Sequence, residues 1–176
     1  MKWIKISKEL KLKTFLFNIF TVGYKSLKSG KEGRFDVLET KDWANIIAIT
    51  NDSKVVMVEQ FRFGSAEVTL EFPAGAIEEL ENPVDSIKRE LIEETGRVAT
   101  NITQIGECRP NPAFLNNTCH HFLSENLETI RAQKLDEHEE ISIKLIPINE
   151  IESLIENGTI NHSLAISAWY FYKFLK

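Results

Sequence analysis

The sequence predicts an α/β protein, an α/β/α sandwich on a mixed β-sheet with a short N-terminal β region. Three observations carry this. Strand-like segments separated by turn residues fill the first third of the chain, a capped amphipathic helix follows, and further strands precede two closing helices. Strands and helices in that order bury their apolar faces best as a sheet covered on both sides.

Residues 14–24 are apolar and β-prone, and Ser29-Gly30-Lys31 is a turn signal before a second strand at 35–40. Residues 43–50 and 54–61 read as two more strands joined at Asn51-Asp52-Ser53. The run Val-Val-Met-Val at 55–58 predicts a strand buried on both faces until its end. The next segment is a helix over 83–95. Asn82 is suited to its N-cap, Pro83 to its first position and Gly96 to a left-handed terminating residue. Val84, Ile87 and Leu91 recur at three- and four-residue spacing, giving one apolar stripe. Strands are expected at 102–108, 118–124 and 140–145, and helices at 148–156 and 163–175. No repeat or linker divides the chain, which organises as residues 1–34, the N-terminal β region, and 35–176, the main domain.

With 176 residues, 43% hydrophobic and 27% charged, the chain has material for one real core. A net charge of −5 speaks against a nucleic-acid partner, which wants a basic face. It leaves room for a small anionic substrate, because a metal ion can supply positive charge locally. Cys108 and Cys119 are too few for a disulfide framework, which fits a reducing cytoplasm. The apolar run at 14–24 is interrupted by Asn18, lacks a cleavage pattern, and is too short to span a bilayer. It is read as a β-strand with basic flanks, with no membrane partner.

The chemistry concentrates in residues 75–96, GAIEELENPVDSIKRELIEETG. Glu90, Glu93 and Glu94 stand at i, i+3 and i+4, on one side of a helix that turns ~100° per residue. Like charges so placed repel by a few tenths of a kcal/mol per pair unless a counter-charge is present. A hard divalent cation such as Mg²⁺, or Mn²⁺ in its place, resolves the conflict. Mg²⁺ prefers oxygen ligands and shares its shell with substrate phosphates. Glu81 is placed to join the site, and Arg89 to orient one of the carboxylates. Three glutamates alone would be read as a solvated helix face.

The full pattern is more specific. Gly75, Glu81, Arg89, Glu90, Leu91, Glu93, Glu94 and Gly96 match the Nudix box, G-x5-E-x7-R-E-U-x-E-E-x-G-U, with U aliphatic. Seven fixed residue types make a chance match on the order of 10⁻⁸ per starting position, so the chain is identified as resembling the Nudix hydrolases. The last aliphatic position holds Arg97 instead, with Val98 expected to take over its packing. VEQFRFG at 58–64, LEFPAGAIE at 70–78 and DEHEEISIKLIP at 136–147 resemble the ADP-ribose pyrophosphatase branch and related nucleotide-sugar hydrolases.

That resemblance implies a Nudix fold and metal-dependent hydrolysis of a nucleoside-diphosphate sugar, with ADP-ribose giving AMP and ribose 5-phosphate. It implies Glu90 and Glu94 as metal ligands, Glu93 as ligand or base, and the Ala74 carbonyl as a further ligand. In the late acidic loop, Glu137 matches the position that orients water and Glu139 one that approaches metal, with Glu140 the alternative register. Arg62 matches an arginine that contacts substrate. The loop RPNPAFLNNT offers Arg109 and Asn116 for phosphate or sugar contacts, while Trp43 and Phe114 are either base-stacking or core aromatics. The family analogy also implies a homodimer through the N-terminal strands.

Rival readings are weaker. Cys108, Cys119, His120 and His121 lack zinc-site spacing, and adjacent histidines on a strand point to opposite faces. No motif supports a serine or cysteine nucleophile. GDP-mannose-like sugars, dinucleoside polyphosphates and oxidised nucleoside triphosphates are the competing substrates. A non-catalytic domain that senses a nucleotide sugar is the competing class.

Overall fold

The computed structural model describes residues 1–125, 127–130, 132–135 and 139–175. Contacts divide the chain into two units, Met1–Asp42 with Arg109–Thr118, and Trp43–Cys108 with Cys119–Lys176.

The N-terminal unit is a three-stranded antiparallel sheet, β1 (Trp3–Lys13), β2 (Phe17–Ser26) and β3 (Glu32–Thr40), in that order. The basic flank before residue 14 is itself a strand: Trp3–Lys13 pairs with residues 18–26 of β2, with register shifts near Ser7 and Leu12. The second strand starts at Phe17 rather than residue 14 because Thr14 is spent in a turn. Its hydroxyl donates to Phe17 O at 2.6 Å and its Oγ1 accepts Phe17 N at 3.0 Å. β3 runs across residues 34 and 35, so the contact boundary falls later, after Asp42. Loop 109–118 joins this unit through Leu38 N to Phe114 O (2.8 Å) and Asn116 N to Leu38 O (3.2 Å).

The second unit is an α/β/α sandwich. Its strands are β4 (Trp43–Ile49), β5 (Lys54–Arg62), β6 (Glu67–Glu71) and β7 (Ala74–Ala76), followed by helix α1 (Pro83–Thr95). After β8 (Arg97–Ala99) come β9 (Thr103–Cys108), β10 (Cys119–Ser124), β11 (Leu127–Ile130) and β12 (Ile141–Pro147). A 3₁₀ turn, Ile148–Glu150, precedes α2 (Ile151–Glu156), and α3 (Ser163–Lys173) closes the chain. The main sheet runs β12-β5-β4-β10-β9, with β6 on β5 and β7 on β4. It is mixed because β10 lies parallel to β4 while the other pairs are antiparallel.

Residues 44–49 of β4 are all buried, which requires cover on both faces. Ile47 and Ile49, with Val55 and Met57 of β5, pack under Ala168, Trp169 and Tyr172 of α3. Ala44, Ile46, Ala48 and Val56 face the other way, onto Ile87 and Leu91 of α1. The two-residue alternation of the strands thus sorts one sheet into two cores. β4 and β5 pair directly only at Ala48↔Val56 and Ile49↔Val55. Beyond that β4 takes β7 and β5 takes β6, and into the place so opened come the box glycine and its carboxylates. The core position near Arg97 is filled by Ala99, 8% exposed, not by Val98, because alternation on β8 places 97 and 99 on one side. No helix among the described residues is long and apolar enough to cross a membrane.

Candidate active site

Helix α1 forms for local reasons. Asn82 Oδ1 accepts Val84 N at 3.0 Å, Pro83 opens the first turn, and Gly96 ends it at φ 67°, its N–H bonded to Ile92 O at 2.8 Å. Lys134 N and Gln133 Nε2 close the carbonyls of Glu93 and Glu94 at 2.9 and 2.6 Å. Ile87, Leu91 and Glu94 stand at i, i+4 and i+7, so a carboxylate occupies the stripe that faces the sheet. Glu94 is 3% exposed and accepts Ala74 N at 3.1 Å. Burial drives its pKa well above the usual carboxylate range, and the charges of Glu90 and Glu139 add to the shift.

Arg89 gathers the rest. Its Nε and Nη2 bond both oxygens of Glu81 at 3.1 Å, and its Nη1 bonds Glu90 at 2.8 Å and Glu93 at 3.0 Å. Nη2 also reaches Ala76 O and Ser86 Oγ, each at 3.3 Å. The pairing holds Glu81 at a pKa of about 2. Glu90 moves the other way: burial raises it, Glu93 and Glu139 raise it further, and Arg89 offsets only part. The Glu90 carboxylate lies on Gly75 of β7, where a Cβ would meet its Cδ at 2.0 Å. Only glycine leaves that space.

Among the described residues no three acidic, histidine or cysteine side chains are grouped as a metal ion would need them, and Glu81, Glu90 and Glu93 are bonded to Arg89. The donor set nevertheless fits a hard divalent cation. It is all oxygen, and burial and mutual repulsion raise Glu90 and Glu94, as expected of a site short of positive charge. Glu139 is exposed and is felt electrostatically by Glu90, Glu94 and Arg62. Glu140 is exposed, and Glu137 lies outside the described residues.

Arg62, at the end of β5, bonds Glu71 through Nε at 2.7 Å and Nη2 at 2.8 Å, with its Cζ 6.0 Å from the half-buried Trp43 ring. Glu71 and its neighbour His162 escaped the sequence reading. The available signal was a glutamate set between apolar residues in Leu70-Glu71-Phe72, on a strand too short to announce itself. Arg109 and Asn116 belong to the N-terminal unit. Arg109 donates to Asn116 O at 3.3 Å, and Asn116 Oδ1 accepts Thr40 N at 3.1 Å. Phe114 is 43% exposed in the same loop.

The histidines part as adjacent strand residues must. His120 lies 3.2 Å from Gln104, whereas His121 contacts Asn45 Oδ1 at 2.7 Å and Cys108 Sγ at 3.3 Å. Asn45 Nδ2 donates to Leu164 O, so its Oδ1 accepts, His121 Nδ1 carries the hydrogen, and Nε2 accepts from the thiol. This has the outline of a cysteine–histidine–asparagine triad with the opposite electrostatics. Burial raises the Cys108 thiol and lowers His121 to about 4, so both stay neutral and no thiolate forms.

The NUDIX domain family model matches residues 40–168. An ADP-ribose pyrophosphatase of Bacillus subtilis (strain 168) is 31% identical over 135 residues, 76% of this chain and 73% of that protein. A methanol dehydrogenase activator of Bacillus methanolicus is 29% identical over 143 residues, 81% of this chain and 77% of that one. A crystal structure of an ADP compounds hydrolase superposes with a TM-score of 0.85 over 99% of this chain and 94% of its own. At 18% identity that likeness speaks for the fold alone.

Proposed function

This chain belongs to the NUDIX domain family as a pyrophosphohydrolase, and on that premise we propose that it cleaves the diphosphate linkage of a nucleoside-diphosphate sugar, ADP-ribose, to AMP and ribose 5-phosphate. The observation that carries the reading is the carboxylate set of α1, gathered on Arg89 over Gly75. The Bacillus subtilis relative supports the substrate.

Glu90 and Glu94 would hold a divalent cation, Mg²⁺ with Mn²⁺ as substitute, aided by Glu93, the Ala74 carbonyl and Glu139. When bound, such an ion neutralises the non-bridging phosphate oxygens as charge builds on the leaving group. The chain's own groups do the rest. The late-loop position Glu137 orients the attacking water, and Glu93, where it is not spent as a metal ligand, takes the water's proton at a carboxylate oxygen. Arg89 keeps Glu81, Glu90 and Glu93 in register, and Arg62 binds a phosphate, with Arg109 and Asn116 offered to phosphate or sugar. The exposed apolar residues of β1, Trp3, Ile4, Ile6, Leu10 and Leu12, each 40–54% exposed, support a homodimer through the N-terminal region, in the cytoplasm.

The test is product analysis by chromatography with Mg²⁺ or chelator, across ADP-ribose, GDP-mannose, a diadenosine polyphosphate and a nucleoside triphosphate. Metal-dependent AMP release from ADP-ribose, well above the other rates, is the expected result. A different preferred compound moves the substrate. The Bacillus methanolicus relative, named as an activator, favours a second reading as a regulatory module. Tight binding of one compound without turnover selects it.

A further inference from the structure

Behind Arg62 stands a carboxylate that the box pattern does not contain. Glu71, the last residue of β6, is 1% exposed and accepts two hydrogen bonds from the guanidinium, at 2.7 and 2.8 Å. Thr69 Oγ1 donates to the same carboxylate, and His162 Nδ1 lies 3.5 Å from its second oxygen. Burial opposes the charge of Glu71, but the bonds and charge of Arg62 outweigh it and hold the pKa below the usual range. A buried ion pair is a poor stabiliser, because desolvation consumes most of the attraction and an apolar pair of the same size does as well. Its use lies in fixing geometry.

The surroundings say which geometry. Trp43, Arg62, Glu71, Ala74 and His162 line one small cavity of about 10 Å³, no larger than one water needs. Ala74 in turn bonds the box carboxylate Glu94 at 3.1 Å. The guanidinium is therefore locked two bonds deep on one edge, beside the Trp43 ring, one residue from the carboxylate cluster. Its Nη1 makes no hydrogen bond among the described residues, and a phosphate takes two parallel N–H donors from such an edge.

We infer that Glu71, with His162 behind it, is a positioning residue that fixes the plane of Arg62 so that the Nη1 edge meets a phosphate of the substrate already ordered. The nature of that anion rests on the function proposed above. An immobilised arginine spares the ordering cost of a long side chain, which corresponds to ~3–10-fold in affinity.

The experiment is a double-mutant cycle on the full chain with ADP-ribose and Mg²⁺. E71Q is expected to raise KM by ~3–10-fold, with kcat changing less than KM, and to add nothing further in an R62A background. Residues in direct contact couple in stability whatever their role, so the discriminating readout is that the coupling appears in KM and not in Tm alone. An equal KM effect in both backgrounds overturns the inference, as does a fall in Tm with KM unchanged. Should E71Q fail to fold, Glu71→Asp keeps the buried charge but withdraws the carboxylate from Arg62, and the same cycle is read with the same expected and overturning results. Wild-type turnover is measured first. If no nucleotide sugar is turned over, the proposed function falls, and the cycle is read as Kd for ADP-ribose by calorimetry, with the same two outcomes.

Discussion

Replacing Gly75 by alanine should separate catalysis from folding in a single methyl group. A Cβ at that position would stand 2.0 Å from Glu90 Cδ, 2.1 Å from Oε1 and 2.5 Å from Oε2. Ordinary contact begins at 3.4 Å, so the carboxylate must retreat by at least 1.4 Å (3.4 − 2.0). It can do so, because the clashing atoms end a flexible side chain and no backbone is struck. The cost to folding is therefore small, within about 1 kcal/mol and offset in part by the lower entropy of an unfolded chain with alanine. The cost to chemistry is not. Misplacing a participating group by ~1 Å lowers rate about 10²-fold, near 2.7 kcal/mol of transition-state stabilisation. Initial rates of AMP release and a thermal melt on the same preparation check both halves. Gly64→Ala, where a Cβ meets nothing within 4 Å, is the control. A G75A protein with kcat/KM within threefold of wild type and an unchanged Tm would refute the placement of Glu90 in the working site.

Glu93→Gln and Glu94→Gln should each lower turnover by ~10³-fold or more with the fold intact; a normally stable mutant with near-normal rate sinks the metal-site assignment. Arg89→Met strands Glu81, Glu90 and Glu93, so Tm in chelator should fall by roughly 3–10 °C and recover in part on adding Mg²⁺. No fall in chelator would show that Arg89 is not the counter-charge. His121 predicts an acid-side slope in stability. Its folded pKa of about 4 lies below the ordinary 6.5, so between those values the unfolded chain binds a proton that the native protein refuses. Stability is whole above about pH 6.5 and is lost as pH falls toward 4, by up to about 3 kcal/mol. Denaturant titrations of wild type and His121→Asn at pH 7 and 4 should show the gap closing at pH 4; a pH-independent gap contradicts the burial argument.

What sequence could specify was local. Asn82, Pro83, Ile87, Leu91 and Gly96 determine α1 from end to end, since caps, periodicity and terminator all act within one or two turns. The box spacing likewise places Glu90, Glu93 and Glu94 on one side of that helix, whatever packs against it. The missed elements are those whose reason lies elsewhere in the chain. Ala74–Ala76 has no strand propensity and is a strand because Trp43–Asn45 offers it hydrogen-bond partners. β6, β8 and β11 are three to five residues long and depend in the same way on β5 and on each other. The sequence could name Arg62, but only the hairpin β5–β6 brings it to Glu71, nine residues on, and only the start of α3 brings His162 to both. Arg89 was readable as a partner for one carboxylate; that it holds three, and that Glu90 rests on Gly75, follows from where β7 crosses α1. Sequence determined which groups the site contains, because residue type and helical spacing are properties of the chain alone. Tertiary structure decided which are buried, which are paired and which are left short of charge, because burial and counter-charge are supplied by segments far away in sequence.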